Sequence, residues 1–410
     1  MSFIKKILLS PSLLVLADQA IFSGTNFLMT LFLAQKLDIK NFGLFSTIVL
    51  VTYLVMSITN ALIIQPFQVS ISKISKRKEY YVSLFLGLVA LLSLFMFLVK
   101  LLVLFLPNEN IYSFQSNAII CFIVGYLLQD FFRKIFLGLA NIVTVIIIDI
   151  VFLVLISIAF YILKNEITLF NTLLVVGLAN SISSIPGLYF IIKNYENPIS
   201  WKLFLQDHIT QGKWLFSVAV LQWCSSNFFV LISGVYLGIE ALGALRLVQS
   251  FFGIINIVLQ TVENYFLPKV AVLYNENVAK AKKYLVEITA YGALLFGLLL
   301  SVLFIFSTQI IVLAGGTKYE SYAYVVKIIA VLYFFIFLSY PVRIAVRVMV
   351  LNKIFFIGYL ISFVSSLLTF HLLLKYSGLY GAVAGLIINQ ILMILYWQNQ
   401  LRKNQFILWK

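Results

Sequence analysis

The stretch from Asp18 to Pro66, DQAIFSGTNFLMTLFLAQKLDIKNFGLFSTIVLVTYLVMSITNALIIQP, reads as two membrane-spanning helices joined by a short polar turn. A span needs about 20 mainly apolar residues, and the runs on either side of Lys36–Asn41 supply them. A faint copy lies about 200 residues further on: Asn26-Phe27 recurs as Asn227-Phe228, Gly43 as Gly243 and Pro66 as Pro268. Later in each copy, Arg133 and Asn141 find counterparts in Arg343 and Asn352. With six spans per copy, both enter the membrane from the same side. The repeat is then parallel, its axis along the membrane normal.

Composition agrees. Of 410 residues, 62% are hydrophobic and 10% charged, whereas a soluble globule carries about 45–50% and about 25%. Apolar runs such as VTVIIIDIVFLVLISIAFYIL do not alternate, as barrel strands would. The fold class expected is all-α and polytopic, with about 12 transmembrane helices in two six-helix lobes. Spans fall at 12–35, 42–64, 82–106, 115–137, 142–163, 168–192, 214–237, 241–262, 287–314, 322–345, 354–374 and 379–400. This divides the chain into lobes 1–195 and 214–410, with 196–213 a cytoplasmic linker along the membrane surface.

The net charge of +15 follows from Lys and Arg gathering in cytoplasmic loops, and nucleic acid is not expected as a partner. Only Lys36, Lys40, Lys164, Lys318 and Lys375 fall on the opposite side, which places both termini in the cytoplasm. Lys5 and Lys6 precede an apolar run with no small-residue cleavage site, so an uncleaved first span is expected. Cys121 and Cys224 lie inside apolar runs and suggest neither a disulfide nor a metal site. No Walker A loop, dinucleotide fingerprint or nucleophile elbow occurs, and no enzyme activity, cofactor or metal is expected.

Ionisable groups inside a bilayer are expensive and usually face a bundle interior or water-filled cavity. In span eight, Arg246, Gln249, Gly253, Asn256, Gln260 and Glu263 share one helical face. Such a stripe lines a wet path or serves as polar packing between helices. Asn26 and Asn227 add polar groups to spans one and seven. Asp149 in span five reads either as a carrier of H⁺ or Na⁺ or as a counter-ion to Arg133 or Lys134. Asp18 and Glu263 are the other coupling candidates, although Asp18 also suits an interfacial position. Among the cations, Lys100 and Lys327 are candidates for binding substrate, although their stems are long enough to snorkel. Arg246, Arg343, Arg133 and Arg347 suit a phosphate or pyrophosphate, with positive-inside anchoring the other reading of Arg133 and Arg347. Lys134 and Lys353 read as positive-inside anchors, and Trp201, Trp214, Trp397 and Trp409 as interfacial anchors. His208 falls in a loop, and Pro186 and Pro341 are expected to kink their helices.

The motifs SGTNFLMTLFLAQKL with NFGLFS, RKIFLGLANIVTVIIID, GKW, and ALGALRLVQS with ENYFLPKV resemble the polysaccharide flippases of the multidrug/oligosaccharidyl-lipid/polysaccharide exporter superfamily, among them the O-antigen flippases. That resemblance implies ion-coupled alternating access in a bacterial inner membrane, alongside other polysaccharide-assembly proteins. The cargo it implies is an oligosaccharide linked to undecaprenyl pyrophosphate. Its headgroup would then be received first by Arg246, then by Arg343 and Arg133, and Asp149 would couple the ion. The competing readings are a multidrug exporter on the same scaffold, which needs cavity acids, and a membrane glycan polymerase or ligase, for which no outer loop has room.

Overall fold

The structure, a computed structural model, describes residues 11–70, 77–104, 109–164, 166–198 and 201–408. Lys5, Lys6, Lys73, Lys76, Trp409 and Lys410 therefore lie outside the described residues. Everything regular among them is helical: α1 (Pro11–Lys36), α2 (Ile39–Thr59), a π turn (Asn60–Ile64), α3 (Gln65–Ser70), α4 (Arg77–Leu104), α5 (Glu109–Gly138), α6 (Ile142–Ile162), α7 (Leu169–Ser183), α8 (Ile185–Lys193), α9 (Trp201–Tyr236), α10 (Ile239–Glu276), α11 (Val278–Ile305), α12 (Ser307–Gly315), a 3-10 turn (Thr317–Tyr322), α13 (Ala323–Val348) and α14 (Asn352–Lys403). Helix is what a backbone with no water partners must form.

Ten of these stretches are long and apolar enough to cross a membrane. One of them, α14, is two helices meeting at Gly378, whose φ of 54° breaks the turn, and α5 supplies the fourth expected span. The twelve spans are therefore present. The sixth is broken at Ser184, where Pro186 occupies the first turn of α8. Pro341, by contrast, sits within the unbroken α13.

The chain forms two compact units. One comprises the residues up to Met29 together with Ile48–Val220, and the other Thr30–Thr47 with Leu221–Lys410. Two features differ from the sequence reading. The hairpin between spans one and two belongs to the second unit, and residues 201–213, expected as a surface linker, are the opening turns of the continuous α9. The physical reason for the latter lies in the first unit. His208 is buried there, hydrogen-bonded to Tyr80 Oη at 2.8 Å and to the Leu62 carbonyl at 2.8 Å, and stacked on Phe204. His208 is thus on a helix rather than in a loop. Leu62 lies in the π turn of span two, the kind of local widening that π turns bring to a helix.

The repeat is visible in the backbone. Helices α5 and α13 end in the same hydrogen-bonded cap: Leu139 donates to Ile135 and Asn141 to Phe136, as Met349 does to Ala345 and Leu351 to Val346. Both caps put a non-glycine residue in the left-handed region, Ala140 at φ 57° and Val350 at φ 56°. Asn26 and Asn227 match too, each donating to the carbonyl four residues earlier, Phe22 and Trp223.

Within the second unit, the repeated segments meet at Gly43 and Gly243. A Cβ on Gly43 would lie 2.2 Å from the Ile239 carbonyl oxygen, and one on Gly243 would lie 3.3 Å from that of Ile39. Only glycine lets the two backbones approach so closely. Lys318 fixes the same hairpin by donating to the carbonyls of Gln35 (3.1 Å) and Leu37, and Gln35 donates to Leu313 (2.8 Å). In the first unit, Gly125 and Gly177 pack span four against span six in the same manner, with Gly177 O 2.1 Å from a Gly125 Cβ.

Trp397 is a core residue rather than an interfacial anchor. It is fully buried, stacked on Phe355 at 5.4 Å and donates to Ile354 O, in a slot that Gly358 leaves open. Overpacking typically costs about 1–3 kcal/mol. Gly43→Ala is therefore expected to lower the thermal midpoint of the purified protein, whereas Gly24→Ala, which meets no atom within 4 Å, is expected not to lower it.

Candidate functional site

Among the described residues, each unit holds a cluster of buried charge built on one of two corresponding arginines. In the first unit, Arg133 projects from α5 between α1 and α6. Its Nη2 donates to Asp18 Oδ2 at 3.2 Å, and its Nε lies 2.8 Å from Asp149 Oδ1. All three side chains are almost fully buried, and the Phe22 ring covers the guanidinium at 3.7 Å. Asp18 is thus packed inside the protein beside a guanidinium. Asp149 has the counter-ion geometry that its sequence position allowed. Its Oδ1 forms an ion pair with Arg133, and the Asp18 carboxyl lies within side-chain hydrogen-bond reach of it. Two carboxyl groups thus share one guanidinium.

The neighbouring Lys134 is not a free anchor. Its Nζ donates to Asp130 Oδ2 at 2.7 Å and to Asn60 Oδ1 at 2.8 Å. Asp130 escaped the sequence reading, yet its spacing of four from Lys134 within QDFFRK places the two on one helix face. Tyr126, also missed, donates to Asn26 Oδ1 at 2.7 Å.

The second unit inverts the balance. Glu263 of α10 accepts from Arg347 Nη1 at 2.5 Å and lies 3.4 Å from Arg343 Nε, both on α13. Here one carboxylate meets two guanidinia, an excess of one positive charge. Arg343 is flanked by the Tyr340 and Phe355 rings at 5.6 and 5.8 Å. Next to it, Gln222 donates to Tyr359 Oη at 3.3 Å.

The span-eight stripe divides along its length. Arg246 donates to Gln249 at 3.2 Å. Asn256 donates to Tyr333 Oη of α13 at 2.7 Å, so it packs helices together. Gly253 faces open space, and Gln260 is exposed. Glu263 closes the stripe as the counter-ion just described. Lys100 and Lys327 are exposed and enter no ion pair among the described residues, and Lys327 Nζ lies 5.7 Å from the Phe304 ring centroid. The structure therefore gathers Asp18, Arg133 and Asp149 in one unit and Glu263, Arg343 and Arg347 in the other, and leaves Lys100 and Lys327 outside both.

Among the described residues, no group of three or more His, Cys, Asp or Glu side chains is placed to hold a metal ion. Removing one partner from a buried ion pair typically costs about 3–5 kcal/mol. Arg133→Gln strands two carboxylates, so it is expected to lower the thermal midpoint far more than Asp149→Asn, which leaves a balanced Arg133–Asp18 pair. Thermal unfolding of the purified variants in one detergent checks the order.

Solved structures share this architecture along nearly the whole chain. The inward-facing conformation of a multidrug resistance MATE family transporter of the MOP superfamily is 11% identical with a TM-score of 0.73, over 94% of this chain and 95% of that one. The lipid II flippase MurJ, inward closed, is 14% identical with a TM-score of 0.65, over 94% and 87%. A MOP superfamily transporter from Pyrococcus furiosus, described by a binding pocket of reverse polarity, is 12% identical with a TM-score of 0.59, over 96% and 93%. No protein-family model and no curated protein matches the sequence. At such identities the likeness is one of fold: this chain is built like the transporters of the MOP superfamily.

Proposed function

We propose that this protein moves an oligosaccharide linked to undecaprenyl pyrophosphate from the cytoplasmic to the outer leaflet of a bacterial inner membrane by alternating access, for O-antigen or other surface polysaccharide synthesis. Both termini would face the cytoplasm. The observation that carries the reading is the excess of guanidinium over carboxylate at Glu263, Arg343 and Arg347. Guanidinium forks pair with phosphate oxygens two at a time, and a cluster left one positive charge over attracts an anion. Arg246 and Gln249, half-buried on the same helix as Glu263, and the exposed Gln260 offer further polar contacts for the headgroup or sugar.

The first-unit cluster suits the coupling step. Two buried carboxyl groups around a single guanidinium offer a place for a proton or Na⁺, with Asp18 sharing the load. The same acid pair favours a second reading, export of cationic compounds. Its site would then lie in the first unit, with the arginines of the second irrelevant to cargo.

Transport by the full chain in proteoliposomes separates the two. With a fluorescent undecaprenyl-pyrophosphate oligosaccharide, the wild type is expected to move label to the leaflet reached by an external quencher. Arg343→Gln with Arg347→Gln is expected to slow it at least about tenfold, as loss of a charge-assisted contact of about 1.5–3 kcal/mol implies. In cells, Arg246→Ala is expected to remove surface glycan at normal protein levels. Movement no faster than in protein-free vesicles, together with proton-driven efflux of a cationic dye, would overturn the reading in favour of the second.

A further inference from the structure

The acid in the second-unit cluster has a place of its own. Glu263 is 3% exposed, beneath Arg343 at 25% and Arg347 at 42%. Anything approaching from outside meets guanidinium before carboxylate. A cation would have to pass two like charges to reach Glu263, so the acid is poorly placed to carry a coupling ion, the role its intramembrane position first suggested. It is well placed to hold the arginines. They stand four residues apart on α13, about 5–6 Å between Cβ atoms, a spacing that suits two adjacent phosphate groups. Without a shared acceptor, two like charges so close would splay apart.

We propose that Glu263 is a positioning residue, a resident counter-anion that gathers Arg343 and Arg347 and is displaced as their main partner when a diphosphate-bearing anion binds. This rests on the reading of an anionic cargo given above. Its consequence runs opposite to that of a purely structural residue. Gln at this position keeps the shape and an oxygen acceptor for the two arginines while removing the charge that competes with the ligand. Binding should therefore tighten when the acid is neutralised, because the nearby negative charge no longer repels the incoming phosphates.

Calorimetry on the purified full chain with inorganic pyrophosphate tests this. Glu263→Gln is expected to bind at least about tenfold more tightly than the wild type. Arg343→Gln with Arg347→Gln is expected to bind at least about tenfold more weakly, provided its thermal midpoint shows it folded. Single replacements are used if the double variant is not folded, and each is expected to weaken binding. A parallel titration with a short-chain isoprenyl diphosphate distinguishes a lipid headgroup from the free anion: tighter binding than pyrophosphate points to lipid, equal binding to the diphosphate alone, and both support the site. Unchanged or weaker pyrophosphate binding by Glu263→Gln, or no saturable binding by either protein, overturns the proposal. The titration needs no translocation. Tightening here without movement of lipid-linked oligosaccharide in vesicles would remove the cargo and leave the role of Glu263 standing.

Discussion

A charged side chain on a helix in hydrocarbon costs several kcal/mol unless it finds a partner or water, and both units are arranged around that cost. Arg133 meets it with two carboxylates and an aromatic ring, and Arg343 with a carboxylate that it shares with Arg347. The partners come from different helices each time, so the pairs also tie α1, α5 and α6 together in one unit and α10 and α13 in the other. A buried ion pair adds little stability over an apolar replacement of equal volume. The informative quantity is the ratio of groups, two acids to one guanidinium in one cluster and two guanidinia to one acid in the other.

That opposition gains meaning from the repeat. The caps at Ala140 and Val350, the back-bonded Asn26 and Asn227 and the glycines at 43 and 243 show two copies of one backbone plan. On that shared plan, the arginine of span four faces Asp18 and Asp149 from spans one and five, while the arginine of span ten shares Glu263 of span eight with Arg347. The helix ends match in the two copies, and the charged neighbours of the two arginines differ. Taken with the proposed function, the acidic cluster suits a small cation and the basic cluster a phosphate, a division of labour that matching halves could not supply.

Most of the architecture was legible because hydrocarbon thickness imposes span length, and runs of about 20 apolar residues are visible in any sequence. The break at Pro186 and the corner near Gly378 were legible for equally local reasons. The π turn at Asn60–Ile64 was not, since NALII is ordinary helical sequence and only the partners Lys134 and His208 reveal the widened turn. Trp397 misled because tryptophan favours interfaces. Its burial depends on Gly358 and Phe355, distant in the chain. Of the candidate site, the arginines and acids were found by their cost in a membrane. Which acid serves which arginine depends on helix packing, and the span-eight stripe hid two different fates, with Asn256 bonded to Tyr333 and Gly253 facing open space.

The central claim is that the excess guanidinium of the second unit receives a diphosphate. The most direct measurement is an experimental structure of the full chain bound to a short-chain isoprenyl diphosphate. The account predicts density for the diphosphate against the guanidinia of Arg343 and Arg347, with Glu263 no longer their nearest anion. Saturating ligand seated elsewhere, with the ion pairs of Glu263 intact, would contradict it.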